Sequence, residues 1–557
     1  MPNIRSFLLI ALALVAFLLW QAWQTDYAAF ESPTPAPVVG EAPAAPPADD
    51  APAASELPQA LPKTDAAVSA TTDADAEMPL PRIVVETDLL RIAIDPRGGT
   101  LVGAELLAYP VSPRDPSPVV LFNEDPKTYY VAQSGLVSSD GPAPDHRALY
   151  TGAAPHHTLG NAETLDVPLT WSDPGGIVVT KTYRFKRGSY VVGIDHAVTN
   201  GTAQAWRGSV YRQLQRTSPI IDRKFSFTNP EQYSFVGAAW YSPEERFEKL
   251  EFEDFIDEPL ARDVAGGWAA MLQHYFFAAW LPPLEQPNRY TTEVLTGHAS
   301  PRYLIREVAV PVELAPGAQS TLEDRIYVGP KLQEVLPEVA PGLGAVVDYG
   351  KVTFISEPLF WLLNWLYKLL GNWGFAIIAV TVLIKAAFYK LSEAQYRSMA
   401  RMRKLQPRLA ALKERYGDDR QKMNQAMMEL YQKEKINPFG GCLPILVQIP
   451  VFIALYWVLI ESVELRHAPF IGWIHSLSER DPYFVLPVLN GLAMWAAQKL
   501  TPTPGMDPMQ QKVMQLMPIM FAVMFAFFPA GLVLYWTVNG VLGLLQQWII
   551  LKRVGAT

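Results

Sequence analysis

Short runs that alternate between apolar and polar residues fill the chain from 83 to about 340. Examples are 89–94, 176–185 and 302–314, and each run is followed by a turn sequence that contains glycine. Alternation with a period of two, interrupted by turn residues at this spacing, is typical of antiparallel β-strands. The pattern therefore predicts a large all-β sandwich domain at 83–340.

Long apolar runs occupy the two ends of the chain, at 6–23, 373–389, 442–460, 483–497 and 513–551. The last run is broken at Phe528–Pro529–Ala530–Gly531, which predicts a tight hairpin of two helices. Because a helix needs about 20 residues to cross a bilayer, the runs predict a polytopic α-helical membrane protein with six transmembrane helices. The spans at 483–497 and 513–528 are short, which implies either a locally thinner bilayer or loose boundaries.

The first apolar run suits either a cleaved signal peptide or a retained anchor. It continues into Trp20, Gln21 and Trp23 without a small-x-small cleavage site, so a retained transmembrane anchor at 1–24 is favoured. Residues 31–82 contain 11 Pro and 14 Ala among 52 positions. Such a composition cannot bury a core and predicts a disordered linker at 25–82.

Aromatic residues mark the stretch just before the second apolar run. Trp361, Trp365 and Tyr367 lie among leucines between 354 and 370. The stretch is too interrupted to span a membrane. It predicts an amphipathic helix at 341–372 that lies in the outer membrane interface.

Charge is distributed unevenly along the chain. The whole chain has a net charge of −9. Residues 1–350 contain 25 Lys and Arg against 43 Asp and Glu, whereas residues 351–557 contain 21 Lys and Arg against 12 Asp and Glu. The loop 390–435 carries twelve basic residues against six acids. The positive-inside rule therefore places this loop and both termini in the cytoplasm, and the β-domain in the periplasm. A soluble enzyme and a nucleic-acid binder are both disfavoured.

The basic loop predicts two amphipathic helices that form a cytoplasmic hairpin at 390–437. Apolar residues follow one seam, and the candidate hairpin residues are Met399, Met402, Leu405, Leu409, Met423 and Met427. One interpretation is a hairpin whose seam packs on itself. The other is that methionine side chains receive varied apolar segments, and both hold if the hairpin opens.

One charge interrupts the apolar helix at 373–389, namely Lys385. It lies five residues before Lys390, so its side chain either reaches the inner interface or lies in a hydrated groove open to the cytoplasm. Thr381 is one turn earlier on the same face. Gln448 and Asn539 belong to a set of uncharged polar residues on other helices, which serve either as contacts between helices or as part of that groove.

Enzymatic chemistry has little support in the sequence. The chain has one Cys, no P-loop and no G-x-S-x-G element paired with a membrane histidine, so we expect no catalytic residue, metal or cofactor. The alternatives are a small-solute transporter or channel and a glycan enzyme of the outer domain. The first needs an intramembrane acid or histidine, and the second needs paired carboxylates.

Several co-ordered stretches resemble the YidC family of bacterial membrane protein insertases, which includes mitochondrial oxidase-assembly and thylakoid Albino relatives. They are 437–452 (NPFGGCLPILVQIPVF), 507–512 (DPMQQK), 528–536 (FPAGLVLYW), 393–399 (EAQYRSM) and 404–407 (KLQP). A weaker match in the β-domain is 87–99 (TDLLRIAIDPRGG).

The resemblance implies a five-helix insertase core at 373–557 and a periplasmic supersandwich. It implies a non-enzymatic insertase and chaperone that inserts, folds and assembles proteins of the bacterial inner membrane, alone or with the Sec translocon. Its partners would be nascent membrane proteins, the lipid bilayer and the ribosome, with no small-molecule substrate. The implied hydrophilic groove contains Lys385, Thr381, Gln448, Asn539 and, in the matched hairpin, Trp536. The family usually carries Arg where this chain has Lys385, which keeps the charge but loses the bidentate fork.

Overall fold

A computed structural model describes residues 80–219, 234–416, 420–434, 443–500 and 508–553. The predicted N-terminal anchor, nearly all of the linker and the start of the 437–452 motif lie outside the described residues.

Two antiparallel β-sheets form the domain that precedes the helices. One has eleven strands in the order β13-β16-β17-β10-β5-β3-β2-β1-β6, with β18 beside β10 and β4 beside β3, and its β1–β6 pair is parallel. The other has eight strands in the order β12-β11-β14-β15-β19-β9-β8-β7. The strands are β1 Ile83–Glu86, β2 Leu90–Asp95, β3 Thr100–Ser112, β4 Asp115–Phe122, β5 Tyr130–Ser138, β6 His156–Thr158, β7 Thr164–Ser172, β8 Ile177–Lys186, β9 Val191–Asn200, β10 Trp206–Thr217, β11 Gly237–Ser242, β12 Arg246–Leu250, β13 Ala261–Ala265, β14 Trp268–Leu272, β15 Phe276–Leu281, β16 Pro287–Leu295, β17 Arg302–Ala309, β18 Val312–Leu314 and β19 Gln319–Pro330.

The predicted β-sandwich is confirmed, and its alternating pattern is visible strand by strand. In β9 every second residue is buried, as expected for a strand with one face toward the core. The core also holds charges that the pattern does not predict. Arg212 is fully buried beside Asp324 and Glu307, and burial raises the pKa of Glu307 to about 8 even though the guanidinium opposes the shift.

Eleven α-helices are described, two of them single turns within or just after the β-domain. The helices are α1 Asp254–Asp257, α2 Leu336–Val339, α3 Thr353–Leu370, α4 Trp373–Ala387, α5 Tyr389–Lys404, α6 Gln406–Tyr416, α7 Arg420–Lys433, α8 Leu443–Glu461, α9 Val485–Leu500, α10 Pro508–Phe525 and α11 Ala530–Arg553. Short 3₁₀ helices lie at Leu343–Val346, Gly350–Val352 and Val463–Leu465.

Among the described residues, α11 is the one helix that is by itself long and apolar enough to cross a membrane. A second span results if α4 and the stretch Tyr389–Met402, which are bent by 65° at Phe388, are taken together. Parts of α8 and α10 are apolar but shorter. The predicted count of six transmembrane helices therefore stays a prediction.

The basic loop contains three helices rather than the two predicted. The first arm bends at Phe388 and is interrupted again at Leu405, which separates α5 from α6. Pro407 lies at the second position of α6, where its missing N–H is tolerated in a new helix but not in the interior of a continuous one. The second arm, α7, packs against α6.

The N-terminus of α4 is held by the loop that follows α8. The Oδ1 atom of Asn372 caps α4 by accepting hydrogen bonds from the backbone N–H groups of Gly374 and Phe375, and its Nδ2 donates to the Phe470 carbonyl at 3.2 Å. A methyl group at Gly374 would lie 2.0 Å from the Phe470 ring. Glycine is therefore required for this close approach.

The β-domain and the helices meet at a polar seam around the end of α8. Gln333 donates through its backbone N–H to Glu464 and through its side chain to Ser462, both at 3.0 Å. His274 Nε2 lies 3.1 Å from the Ile460 carbonyl. Arg466 reaches β3, where its guanidinium donates to the carbonyls of residues 110 and 111.

Candidate functional site

One face of α11 carries Trp536, Asn539 and Gly543, at spacings of three and four residues. Side chains at these spacings lie one above the other on a helix, so the three positions form a line along its surface. Along this line α11 therefore presents the aromatic ring of Trp536, then the amide of Asn539, then the bare backbone of Gly543, which has no side chain.

α8 meets the first two positions of this line. The rings of Phe452 and Trp536 pack edge to face, with centroids 4.6 Å apart. One turn earlier on α8, Gln448 Nε2 donates a hydrogen bond of 2.8 Å to Asn539 Oδ1. The order of these contacts shows that α8 and α11 run antiparallel, which brings two of the predicted polar residues together.

Gly543 lies beside Lys385 of α4 and Tyr396 of α5. A methyl group at Gly543 would be 3.6 Å from Lys385 Nζ and 3.6 Å from the Tyr396 hydroxyl, which donates a hydrogen bond of 3.2 Å to the Gly543 carbonyl. Lys385 is partly buried and has no hydrogen-bond or ion-pair partner within the part of the chain that the structure describes. The glycine thus leaves room for an ammonium group that no described residue neutralises.

The other two predicted groove residues differ in the availability of their polar atoms. The buried Thr381 donates its hydroxyl to the Ile377 carbonyl at 2.7 Å, so the structure does not bring that hydroxyl to Lys385. The indole N–H of Trp536 is buried and has no hydrogen-bond acceptor among the residues that the structure describes. An unpaired buried donor is rare, and this one is available to an acceptor on a bound chain.

The hairpin residues form a smaller cluster than the seam predicted from the sequence. Leu405 and Leu409 are buried, and Met402 and Met427 pack against them together with Leu430 and Tyr431. Met399 and Met423 are partly exposed and lie outside this cluster. The helix is interrupted at Leu405, and of the two methionines before that break Met402 reaches the cluster whereas Met399 does not.

Sequence reasoning did not single out Tyr396 or Gly543. Tyr396 lies inside the family-like stretch 393–399, which was a usable signal, whereas a glycine in an apolar helix carries none until its neighbours are known. Among the described residues, no group of three or more His, Cys, Asp and Glu side chains is placed to hold an ion.

Comparison with known proteins gives matches along almost the whole chain. Residues 82–362 match the family described as the YidC periplasmic domain, and residues 365–556 match the family described as the 60Kd inner membrane protein. A membrane protein insertase YidC from Thioalkalivibrio sulfidiphilus is 48% identical over 100% of this chain and 99% of the relative. The chain belongs to the YidC family of membrane protein insertases.

A second YidC, from Nitrosococcus oceani, is also 48% identical over 100% of this chain and 99% of its own length. A crystal structure described as an active YidC insertase with its first transmembrane domain resolved covers 84% of this chain and 92% of its own, with 17% identity and a TM-score of 0.38. The resemblance to the YidC family predicted from the sequence is confirmed by the sequence matches.

Proposed function

We propose that this chain inserts, folds and assembles membrane proteins in the bacterial inner membrane. Two observations support the proposal. Its full-length relatives carry the name membrane protein insertase, and Lys385 keeps an unneutralised charge among apolar helices. A charge in such a place is costly and usually serves a function.

In the proposed mechanism, Lys385 attracts the acidic or polar flank of a client segment that enters from the cytoplasm. The Gln448–Asn539 pair and the Trp536 N–H then offer hydrogen bonds to the polar backbone as it passes along α11. These groups lower the barrier for the flank, because polar atoms need partners in a low-dielectric environment.

Burial of the client's own apolar helix supplies the free energy. At about 0.8 kcal/mol per CH₂ group, a full span yields tens of kcal/mol, so no nucleotide is required. We propose that the methionine-containing cluster of the cytoplasmic hairpin receives the client first. The Sec translocon and the ribosome are proposed partners, and no covalent step is part of the mechanism.

The test is protease protection with the full chain in lipid vesicles and without ATP. A newly synthesised single-span protein with a short acidic tail is added, and the protected fraction is compared with that of empty vesicles. We expect clear protection above that background. Equal protection in both samples, with the protein verified as folded, would contradict autonomous insertion.

A matched pair of variants assigns the effect to the groove. Lys385→Glu reverses the charge beside Gly543, and Lys390→Glu makes the same change at an exposed position five residues later. Only the first variant should lose protection of the acidic client. Equal losses would indicate a general effect of basic charge on that side of the membrane.

A further inference from the structure

A cavity of about 250 Å³ lies where the β-domain meets the end of α8. Its described walls include Ser234, Lys249, Lys331, Asp348, Trp457 and Glu461. Two ammonium groups and two carboxylates thus face one small space, with aromatic and aliphatic side chains between them. The volume is that of a small polar group rather than of a drug-sized ligand.

Lys331 is the unusual member of this set. It follows β19 and is only 3% exposed, and its side-chain ammonium group has no hydrogen-bond or ion-pair partner among the described residues. Burial lowers the pKa of Lys331 to about 8, and the charge of Glu461 only partly opposes that shift. A buried cation normally has a paired anion. Glu461 and Asp348 act on Lys331 through their charges, but no described carboxylate is in ion-pair contact with it, so its ammonium group is positioned for an anion bound in the cavity.

The other charges have their own contacts. Lys249 forms an ion pair with Asp348, and its Nζ lies 4.7 Å from the centroid of the Phe235 ring. Glu461 accepts a hydrogen bond of 3.3 Å from the Ser234 hydroxyl. The cavity therefore holds the ion pair of Lys249 and Asp348, the ammonium group of Lys331 and, at the end of α8, the carboxylate of Glu461. Lys331 and Glu461 are not in ion-pair contact.

The position of the cavity indicates where its ligand comes from. Glu461 is the last residue of α8, and Trp457 lies one turn before it in the apolar part of that helix. Tryptophan is enriched where a membrane-spanning segment reaches the level of the lipid head groups. The cavity lies between that helix end and the β-domain, so a head group of the outer leaflet is at the right height to enter.

We propose that this junction cavity binds the phosphoethanolamine head group of a membrane lipid, with the phosphate at Lys331 and Lys249 and the ammonium at Glu461. A zwitterion provides a partner for both kinds of charge at once, because lysine ammonium groups bind phosphate and a primary ammonium donates hydrogen bonds to a carboxylate. A choline head group lacks those N–H donors, and a glycerol head group lacks the positive charge.

The test uses the full chain, delipidated in detergent, and follows thermal unfolding during titration with defined lipids. Phosphatidylethanolamine should raise the midpoint at roughly tenfold lower concentration than phosphatidylcholine or phosphatidylglycerol, a difference of about 1.4 kcal/mol. Equal responses to the three lipids would overturn the proposal. Soluble phosphoethanolamine and inorganic phosphate are titrated in the same way to distinguish a lipid from a free ligand. If either compound raises the unfolding midpoint as much as phosphatidylethanolamine does, the cavity is not a lipid site.

Two variants address the lysines proposed to bind the phosphate. Lys331→Met should remain folded, because it removes an unpaired buried charge, and should weaken the response to phosphatidylethanolamine about tenfold. Lys249→Met, at a more exposed position, provides the same test if the first variant does not fold. Lys368→Met, at an exposed lysine of α3 that pairs with Glu334, is the control and should respond like the wild type. Unchanged affinity in both cavity variants would overturn the proposal.

Glu461→Gln addresses the discrimination between head groups. The amide still accepts a hydrogen bond from Ser234 but carries no charge for the ammonium. The preference for phosphatidylethanolamine over phosphatidylglycerol should disappear in this variant. A preference that persists would place the ammonium elsewhere and contradict the proposed orientation.

Discussion

The side-chain amide of Gln448 donates a hydrogen bond of 2.8 Å to the Oδ1 atom of Asn539, and this bond joins α8 to α11 one turn from the Phe452–Trp536 contact. Both residues are only partly exposed. A polar bond at this place is therefore a contact between helices as well as part of the candidate groove.

A double-mutant cycle measures this bond. Gln448→Leu and Asn539→Leu should each lower stability, because each leaves one amide without its partner. The double variant should lose less than the sum of the two, with a coupling free energy of about 1 kcal/mol. Thermal unfolding in detergent is the measurement. Strict additivity would show that the two amides do not interact in solution.

The charge at Lys385 predicts selectivity among clients. Lys385→Glu should reduce insertion of clients with acidic flanks by roughly tenfold and affect neutral clients much less, since the electrostatic attraction is reversed only for the former. Lys385→Arg should insert both classes because it keeps the charge. Protease protection with a matched pair of clients is the readout. Equal loss for both client classes would contradict an electrostatic role.

Substitution of Gly374 should destabilise the protein for a steric reason. Gly374→Ala places a methyl group against the Phe470 ring, where no side-chain rotation of alanine avoids the contact. We expect a loss of about 2 kcal/mol, typical of an overpacked site. Phe470→Ala in the same chain should recover part of it. Gly297→Ala, with open space around the added methyl, is the control. A neutral Gly374→Ala variant would show that the α4 end adjusts freely.

The buried carboxyl of Glu464 should make the stability of the protein depend on pH. Burial raises the pKa of this carboxyl from 4.5 to about 7, although the backbone N–H of Gln333 donates to it. The folded state thus holds the proton more tightly than the unfolded state. The stabilisation is complete below pH 4.5 and is lost as the pH rises to about 7, by roughly 3 kcal/mol.

Glu464→Gln keeps the hydrogen bond from Gln333 and removes the titration. Unfolding midpoints of wild type and variant should diverge between pH 5 and pH 8, with the wild type losing stability relative to the variant. Glu479→Gln, at an exposed carboxyl, should track the wild type. Parallel curves for all three proteins would show that Glu464 is solvated in solution.

The fold follows from the sequence where local pattern decides the structure. Period-two alternation identified the sandwich, because each strand has one face toward the core. The same reasoning could not place Arg212, Asp324 and Glu307 together inside it, since β10 is distant in sequence from β17 and β19. Nor could helical periodicity find the interruption of the helix at Leu405, although Pro407 indicated that a continuous helix was disfavoured there.

The candidate site was predictable in residue type but not in arrangement. Lys385, Gln448 and Asn539 stand out because they are polar in apolar runs. That Gln448 binds Asn539, and that Gly543 leaves space for Lys385, depends on which helices are neighbours. Local pattern equally could not reveal the junction cavity, because its walls include residues of β12, the residue that follows β19 and the end of α8.

The seam at the end of α8 also makes a mechanical connection. Gln333, His274 and Arg466 tie the sandwich to the residues that end or follow this helix. Gln448 lies 13 residues before Glu461 on the same helix, roughly 20 Å away at 1.5 Å per residue. One helix thus carries the contacts to the sandwich at its end and the proposed groove residue Gln448 further back, so in the proposed mechanism a tilt of the sandwich would shift Gln448 relative to Asn539.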